Sequence, residues 1–121
     1  MSLPLKRGSV AVVGAAESDL GKVPEHTSPL DLMAQATRRA LDDAGLKLSD
    51  IDGVFAAVGQ VRLSPLALAE YLRIKPKYFD GTIIGGSSFM AHIAHAQLAI
   101  EAGLCEVALI AYGSTQKTVS R

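Results

Sequence analysis

The stretch over residues 88–102 constrains the fold more than any other feature, because it is apolar on almost every face of a helix. Alanines recur along it, and Gly103 follows it as a helix stop. A helix without a polar face cannot lie on a wet surface, and alanines allow other elements to approach closely. We therefore expect a layered fold in which this helix is buried.

Short apolar runs alternate with helical patterns along the rest of the chain. Runs bounded by glycines and small residues are typical of strands that are covered on both faces. We expect strands near 9–16, 53–59, 78–84 and 107–113, and helices near 29–44, 65–73 and 88–102. This βαβαβαβ order predicts the α/β class with a layered, mainly parallel sheet. We expect one domain over residues 1–121, with a tail from Thr115 to Arg121.

Two of the helices are marked by their first residues. Ser28 and Pro29 form an N-cap followed by proline, Asp31 puts a carboxylate in the first turn, and Gly45 provides a C-terminal stop. Ser64 and Pro65 repeat the cap-then-proline pattern. These signals predict where both helices begin.

Composition excludes several classes of protein. The formal net charge is zero and charged residues make up 20% of the chain, so we expect neither disorder nor a nucleic-acid partner. No stretch approaches the roughly 20 apolar residues of a spanning helix, so we expect no membrane segment. Cys105 is the only cysteine, which rules out an intrachain disulfide and makes the cytoplasm the default compartment.

The turn Gly85-Gly86-Ser87-Ser88 joins a predicted strand to the apolar helix. Backbone N–H groups and the positive end of the helix dipole meet at such a turn, which suits an anion or a nucleophile. The alternative is that Ser87 or Ser88 only caps the helix while the glycines permit the tight turn. The local residues alone favour this alternative.

The ordered set of segments resembles the amino-terminal half of thiolases. The resemblance depends on 10–16, 28–45 and 50–54, and above all on 85–88, 99–103 and 107–113. It is greatest for the branch that contains sterol-carrier-protein-type thiolases and the lipid-transfer-protein group, often described as acetyl-CoA acetyltransferases. The resemblance implies an incomplete thiolase-like domain, from an acyltransferase that forms or thiolytically cleaves carbon–carbon bonds in lipid metabolism. It implies a coenzyme A (CoA) thioester as substrate and no bound cofactor.

In this family a cysteine at the start of the helix takes the acyl group as a thioester. Counting back from Ala102-Gly103 without a gap puts Gly86 at that position, and a one-residue shift puts Ser87 there. Neither residue supplies a thiolate. A serine needs a general base to act as a nucleophile, and no such base can be assigned from the sequence. Ser87 is nevertheless the candidate catalytic residue.

The remaining candidate site residues surround that position. Gly85, Gly86 and Ser88 are candidates for substrate binding because they form the turn. Tyr112 is a fourth candidate, because the carboxyl ends of strands line ligand crevices in α/β sheets. The family's later motifs, which include a Gly-His-Pro-type histidine and a second cysteine, are absent from this chain.

Two other readings of the family resemblance stay open. One is a cysteine-independent retro-aldol lyase that uses tyrosine or histidine acid–base groups on a CoA thioester and requires a small partner protein. The other is a non-catalytic module that binds CoA or lipid, or that only dimerises. The resemblance also implies a homodimer formed through the strand near 78–84.

Two further residue types have simple structural interpretations. His92 and His95 are spaced to share a metal ion, but a zinc site needs a third ligand, and we expect no metal. Cys105 follows the carboxyl end of the apolar helix, where the dipole disfavours a thiolate, so we expect it to pack in the core.

Overall fold

A computed structural model of the protein describes residues 6–119, so both ends of the predicted domain, residues 1–5 and 120–121, lie outside the described residues. The elements in chain order are helix α1 (Pro29–Ala44), a 3₁₀ turn (Leu48–Asp50), strand β1 (Gly53–Ala56), helix α2 (Ser64–Leu72), strand β2 (Tyr78–Asp80), helix α3 (Ser88–Glu101), strand β3 (Ala108–Ala111) and helix α4 (Gln116–Val119).

The three strands form one parallel sheet in the order β2-β1-β3. Val54 of the central strand pairs with Phe79 on one side and with Leu109 on the other. All four residues of β1 are buried, as expected for a strand covered on both faces. The predicted α/β class and parallel sheet are confirmed.

Alternate residues of β1 face two different helical layers. Val54 and Ala56 belong to a core cluster with Met33 of α1 and Leu68 of α2. Phe55 points to the opposite face and lies in a second cluster with residues of α3. The period of two along the strand thus divides the apolar core into two parts.

Helix α1 begins and ends as the sequence predicts. The Ser28 hydroxyl accepts a hydrogen bond from the Asp31 backbone N–H, and the Asp31 carboxylate accepts one from the Ser28 N–H. Gly45 closes the helix at φ 72°, a conformation that glycine adopts without strain. The capping box explains why this boundary could be read from three residues.

Helix α2 begins differently from the prediction. Leu63, not Ser64, occupies the N-cap position, and the helix spans Ser64–Leu72 instead of 65–73. The Ser64 hydroxyl bonds to the preceding loop: it accepts from the Val58 N–H (3.0 Å) and lies within hydrogen-bond distance of the Val58 and Val61 carbonyls. Ser64 therefore orders the β1–α2 connection and does not cap the helix.

The predicted strand over 9–16 is wrong, because this segment forms no strand. The side chains of Val12 and Val13 are 82% and 60% exposed, so the segment is not covered by layers. Helix side chains bind its ends: Ser9 donates to Glu101 of α3, and the Ala15 N–H donates to Asp43 of α1. A strand needs a neighbouring strand, and the ladders of the described residues stop at β3 on this side of the sheet.

The other three strands are shorter than predicted, and after β1 and β2 a side chain binds the backbone just beyond the ladder. Residues 57–59 leave the sheet where Ser64 binds Val58. The predicted 78–84 ends at Asp80, whose carboxylate accepts the Thr82 N–H. The strand predicted over 107–113 spans Ala108–Ala111, and the predicted tail contains the short helix α4.

Helix α3 ends at Glu101, one residue before the predicted boundary. His92, Ala96 and Ala99 are buried against the sheet, whereas Met90 and Ile93 are exposed. The expected burial therefore holds for one face of the helix. Within residues 6–119, no helix is both long enough and apolar enough to cross a membrane.

Candidate functional site

The carboxyl ends of the three strands lie at one edge of the sheet, where the connection from β2 enters α3. Tyr112 directly follows β3, and its exposed ring packs edge-to-face on Phe89 in the first turn of α3. The ring centroids lie 5.2 Å apart and the ring planes meet at 68°. The structure thus brings the predicted residue Tyr112 to the start of the helix that carries the turn.

The turn has the backbone geometry that its glycines suggest. Gly85 has a φ of 75°, in the left-handed region where a side chain is strained. Gly86 is exposed, and no atom lies near the position where its side chain would begin. Ser87 is the N-cap residue of α3, but its side chain makes no capping hydrogen bond. The Ser87 hydroxyl is therefore exposed at the positive end of the α3 dipole.

Ser88 has a structural role in this turn. It is fully buried, and its hydroxyl accepts from the Ile84 N–H (2.8 Å) and donates to the Gly85 carbonyl (2.7 Å). A hydroxyl engaged in this way does not reach a ligand in solvent. Substrate binding by Ser88 stays a prediction that the geometry does not favour.

A nucleophilic role for Ser87 requires a neighbouring base. In the part of the chain that the structure describes, no histidine or carboxylate side chain is hydrogen-bonded to Ser87. Its exposed hydroxyl and the helix dipole suit hydrogen bonding to an oxyanion better than nucleophilic attack. The catalytic role of Ser87 remains a prediction.

The two histidines of α3 face different partners. His92 Nε2 lies 2.9 Å from the Thr82 carbonyl oxygen, and His95 Nδ1 lies 2.5 Å from Asp80 Oδ2. Burial alone raises the pKa of Asp80, but hydrogen bonds from Thr82 and His95 outweigh this effect and hold it below its ordinary value. Among residues 6–119, no three His, Cys, Asp or Glu side chains are grouped to hold a metal ion.

The Asp80–His95 pair was missed in the sequence. Its signal is an acidic residue at the end of a strand followed by a histidine on the next helix. That signal is weak because the register between strand and helix decides whether the two side chains meet.

Cys105 lies in the core, as predicted. It is buried beside Phe55, Ala96 and Ala99. Burial, with a smaller contribution from the Asp52 carboxylate, raises the pKa of its thiol. The only sulfur nucleophile of the chain is therefore a protonated thiol at the opposite end of α3 from the turn.

Gln60 connects two of the strand ends beside the site. Its amide nitrogen donates to the Thr115 hydroxyl (3.1 Å), and its amide oxygen accepts from the Thr115 N–H (2.9 Å) and the Ser114 hydroxyl (3.0 Å). These bonds join the loop after β1 to the segment after β3. Sequence reasoning missed Gln60, because a lone glutamine in a loop carries no local signal.

An apolar groove of about 390 Å³ opens beside this edge, between the start of α2 and the end of β2. Its walls are Ala57, Val61, Leu63, Ser64, Pro65, Leu66, Phe79, Gly81 and Ile83. A second groove, of about 620 Å³, runs between β2 and α3 and includes Asp80 and His95. The first groove suits an apolar group, because the one hydroxyl in its wall, that of Ser64, is bound to the loop.

Comparison with known proteins links this arrangement to one fold. No family model matches the chain. A curated relative is the 17-hydroxy-3-oxo-4-pregnene-20-carboxyl-CoA lyase of Mycobacterium tuberculosis, which is 32% identical over 106 residues. The match covers 87% of this chain and 27% of the relative, so the chain spans about a quarter of the length of that lyase.

Several solved structures of other proteins are similar to this chain. The Ltp2-ChsH2(DUF35) aldolase matches 89% of this chain and 29% of its own, with a TM-score of 0.68 and 26% identity. A monomeric SCP2-thiolase-like protein of Mycobacterium smegmatis matches 81% of this chain and 22% of its own, with a TM-score of 0.62 and 26% identity. The 3-oxoacyl-(acyl carrier protein) synthase III of Xanthomonas oryzae matches 82% of this chain and 41% of its own, with a TM-score of 0.71 and 16% identity. The chain therefore has a thiolase-like fold.

Proposed function

We propose that this chain is part of an enzyme that cleaves a carbon–carbon bond of a CoA thioester by a retro-aldol reaction, without an acyl-cysteine intermediate. The observation that carries the proposal is the turn itself. The N-terminus of α3 is exposed at Gly86 and Ser87, while the only thiol, Cys105, is buried and protonated at the far end of the helix. The site keeps the geometry that stabilises an oxyanion and lacks a thiolate.

A retro-aldol reaction needs such a site. A base removes the proton of the β-hydroxyl group, the Cα–Cβ bond breaks, and its electron pair moves into the thioester as an enolate. The product ketone or aldehyde leaves, and Cα takes up a proton to give the shortened acyl-CoA. The negative charge of the enolate develops on the thioester oxygen, where the dipole of α3 and the Ser87 hydroxyl stabilise it.

Two neighbouring features fit the rest of a substrate. The exposed ring of Tyr112 brings a hydroxyl group, a hydrogen-bond donor and acceptor, to the same edge of the sheet. The apolar groove at the start of α2 suits the lipid part of a CoA thioester. The named substrate of the mycobacterial relative, a pregnene carboxyl-CoA, has this combination of an apolar body and a CoA group.

The second candidate function is a thiolase-like acyltransferase, of the kind described as acetyl-CoA acetyltransferase. The likeness in fold to a 3-oxoacyl-(acyl carrier protein) synthase favours it. This reaction needs a covalent acyl-enzyme, for which Ser87 is the remaining candidate in the turn. The absence of a hydrogen-bonded base at Ser87 among the described residues is the reason for preferring the lyase.

We also propose a homodimer, a small partner protein and a cellular location for this enzyme. Within the described residues β2 is an edge strand, and this edge with the exposed Phe79, Ile83 and Ile84 suits a homodimer. A small partner protein is proposed because the Ltp2-ChsH2(DUF35) aldolase is a two-component assembly by its name. We propose the cytoplasm as the location of the enzyme, which is consistent with a single buried cysteine that needs no oxidising compartment.

The test compares two substrate sets on the full-length protein. The first set consists of β-hydroxyacyl-CoAs with steroid and fatty side chains, and the second of 3-ketoacyl-CoAs with free CoA. The proposal predicts a ketone or aldehyde and a shortened acyl-CoA from the first set, with no covalent adduct in the intact mass. Consumption of free CoA and an acyl adduct at Ser87 would establish the acyltransferase instead. Binding of CoA thioesters without turnover would leave a non-catalytic module.

A further inference from the structure

Three polar residues of α3 lie on one face of the helix, because Ser88, His92 and His95 are spaced i, i+4 and i+7. The other two polar side chains of the helix, Gln97 and Glu101, bond instead to Lys6 and Ser9. Each of the first three binds a different point of the connection that leads from β2 into the turn. Ser88 binds Ile84 and Gly85, His92 binds the Thr82 carbonyl, and His95 binds Asp80. We call these contacts the polar latch.

The sheet does not hold this connection. The β2 ladder ends at Asp80, and the residues from 83 to 87 are exposed. Between Asp80 and α3, the strand-like pairing recorded among residues 6–119 is an isolated bridge between Ile84 and Gly86, within the connection itself. Ser87 is fixed as the N-cap residue of α3, since its carbonyl accepts from the Ala91 N–H. The path of the connection before it therefore depends on hydrogen bonds from the helix.

His92 is the buried member of the latch. Its ring is fully buried, 5.6 Å from the ring of Phe89 and 6.0 Å from that of Phe55. Since a carbonyl oxygen only accepts, Nε2 carries the proton that is donated to Thr82, and Nδ1 is left without a partner among the described residues. A buried unpaired nitrogen lowers stability, which an apolar side chain would avoid. The hydrogen bond to Thr82 is what the histidine adds at this position.

Asp80, at the end of β2, also binds Thr82. Its Oδ1 accepts from the Thr82 N–H (2.8 Å) and the Thr82 hydroxyl (2.7 Å), while Oδ2 faces His95 Nδ1. The side chains of Asp80 and His95 are 12% and 37% exposed. Thr82 is thus fixed through its carbonyl by His92 and through its N–H and hydroxyl by the Asp80–His95 pair.

We propose that His92 and His95 are positioning residues, which fix the path of the connection and thereby the conformation of Gly85 and Gly86 before Ser87 at the N-terminus of α3. This role acts through the connection and needs no contact between either histidine and the substrate. The catalytic consequence rests on the proposed function, whereas the structural consequence does not. Hydrogen exchange tests the structural consequence, and enzyme kinetics tests the catalytic one.

The first readout is hydrogen exchange by mass spectrometry on the full-length protein. His92→Phe keeps an aromatic ring and loses the donor, whereas His92→Gln places an amide N–H near the position of Nε2. His95→Leu and His95→Asn form the corresponding pair for Nδ1. Peptides over 81–88 are expected to exchange about tenfold faster in the Phe and Leu variants and near the wild-type rate in the Gln and Asn variants. Peptides over 29–44 serve as the internal control.

The second readout is steady-state lyase kinetics. His92→Phe and His95→Leu are expected to lower kcat about tenfold with KM within about twofold, and the Gln and Asn variants to restore kcat. Unchanged exchange over 81–88 in both disruptive variants overturns the latch, and His95→Leu decides alone if His92→Phe does not fold. Faster exchange with unchanged kcat overturns the positioning role. A wild-type protein without lyase activity refutes the proposed function while the exchange comparison still tests the latch.

Discussion

The sulfur atom of Cys105 lies directly against the α-carbon of Gly53, so that a methyl group on Gly53 would come within 2.9 Å of it. Gly53 begins β1, the central and fully buried strand, and Cys105 lies in the loop that leads to β3. The absence of a side chain at Gly53 is thus what lets the loop before β3 approach β1. Substitutions at Gly53 and at other closely packed glycines are therefore expected to change the stability of the fold.

Gly53→Ala is expected to lower the free energy of unfolding by about 1–3 kcal/mol, because the added methyl overpacks the contact with Cys105. Cys105→Ala removes the sulfur atom, so the same Gly53→Ala change should cost less in that background. A double-mutant cycle from urea unfolding curves measures the difference. An equal cost of Gly53→Ala in both backgrounds would show that the sulfur is not the obstacle.

The Cys105 thiol should react slowly in the native protein and make stability depend on alkaline pH. Its pKa is raised by burial and by Asp52, so the folded state keeps its proton at a pH where the unfolded chain begins to lose it. The contribution of the thiol to stability is therefore full below about pH 9, its ordinary pKa, and falls as pH rises above that value. Urea unfolding midpoints measured from pH 7 to 10 test this dependence. Cys105→Ala is the control, and its midpoint is expected to fall less steeply with pH because the thiol is absent.

Gly113 tests the contact between β3 and α1. A methyl group there would meet the Pro29 carbonyl oxygen and Met33 Cγ, each at 2.6 Å. Gly113→Ala is expected to destabilise the fold by about 1–3 kcal/mol, since the carbonyl belongs to the backbone of α1 and cannot move alone. Gly59→Ala is the matched control, because nothing lies near that position. Similar melting temperatures for both variants would contradict the close packing.

The capping box of α1 should contribute to stability in a pH-dependent way. The pKa of Asp31 is lowered by the Ser28 backbone N–H and by a hydrogen bond from Tyr71. A lowered folded-state pKa stabilises the protein above the ordinary aspartate pKa of 3.8, and this contribution is lost as pH falls through the folded-state value. Ser28→Ala is expected to cost about 1 kcal/mol at neutral pH. Asp31→Asn should reduce the acid dependence in a denaturation series from pH 6 to 2.

A cysteine introduced into the turn tests its electrostatics. Ser87→Cys places an exposed thiol at the N-terminus of α3, where the dipole favours the thiolate. We expect iodoacetamide to label this residue at neutral pH at least about tenfold faster than Cys105, which is buried. The labelling rate of Gly86→Cys tests the other position that corresponds to the cysteine of the family. Equal labelling of Cys105 and the introduced thiol would show that the turn does not activate a nucleophile.

The candidate site was partly predictable from local signals. Gly85 and Ser87 were identified because a glycine turn before a helix has a sequence signature, and Tyr112 because it ends an apolar run. The hydrogen bonds made by Gln60, Asp80 and His92 were not, since each depends on a residue distant in the chain or on the register between elements. The role of Ser64 was misread as capping, because a serine beside a helix has the same local pattern whether or not it caps the helix. Ser88 was a candidate for substrate binding with capping as the alternative, whereas its hydroxyl bonds to Ile84 and Gly85.

The sequence by itself determined the α/β class, the bounds of α1 and the presence of the central strand β1, because capping residues and apolar periodicity act over a few neighbouring positions. Tertiary structure decided the length of every strand and the fate of the apolar segment over 9–16. A strand exists only where a second strand supplies hydrogen bonds, and no local pattern states whether that neighbour is present. In the turn, likewise, the glycines were visible in the sequence, whereas the latch that holds them depends on how α3 packs against β2.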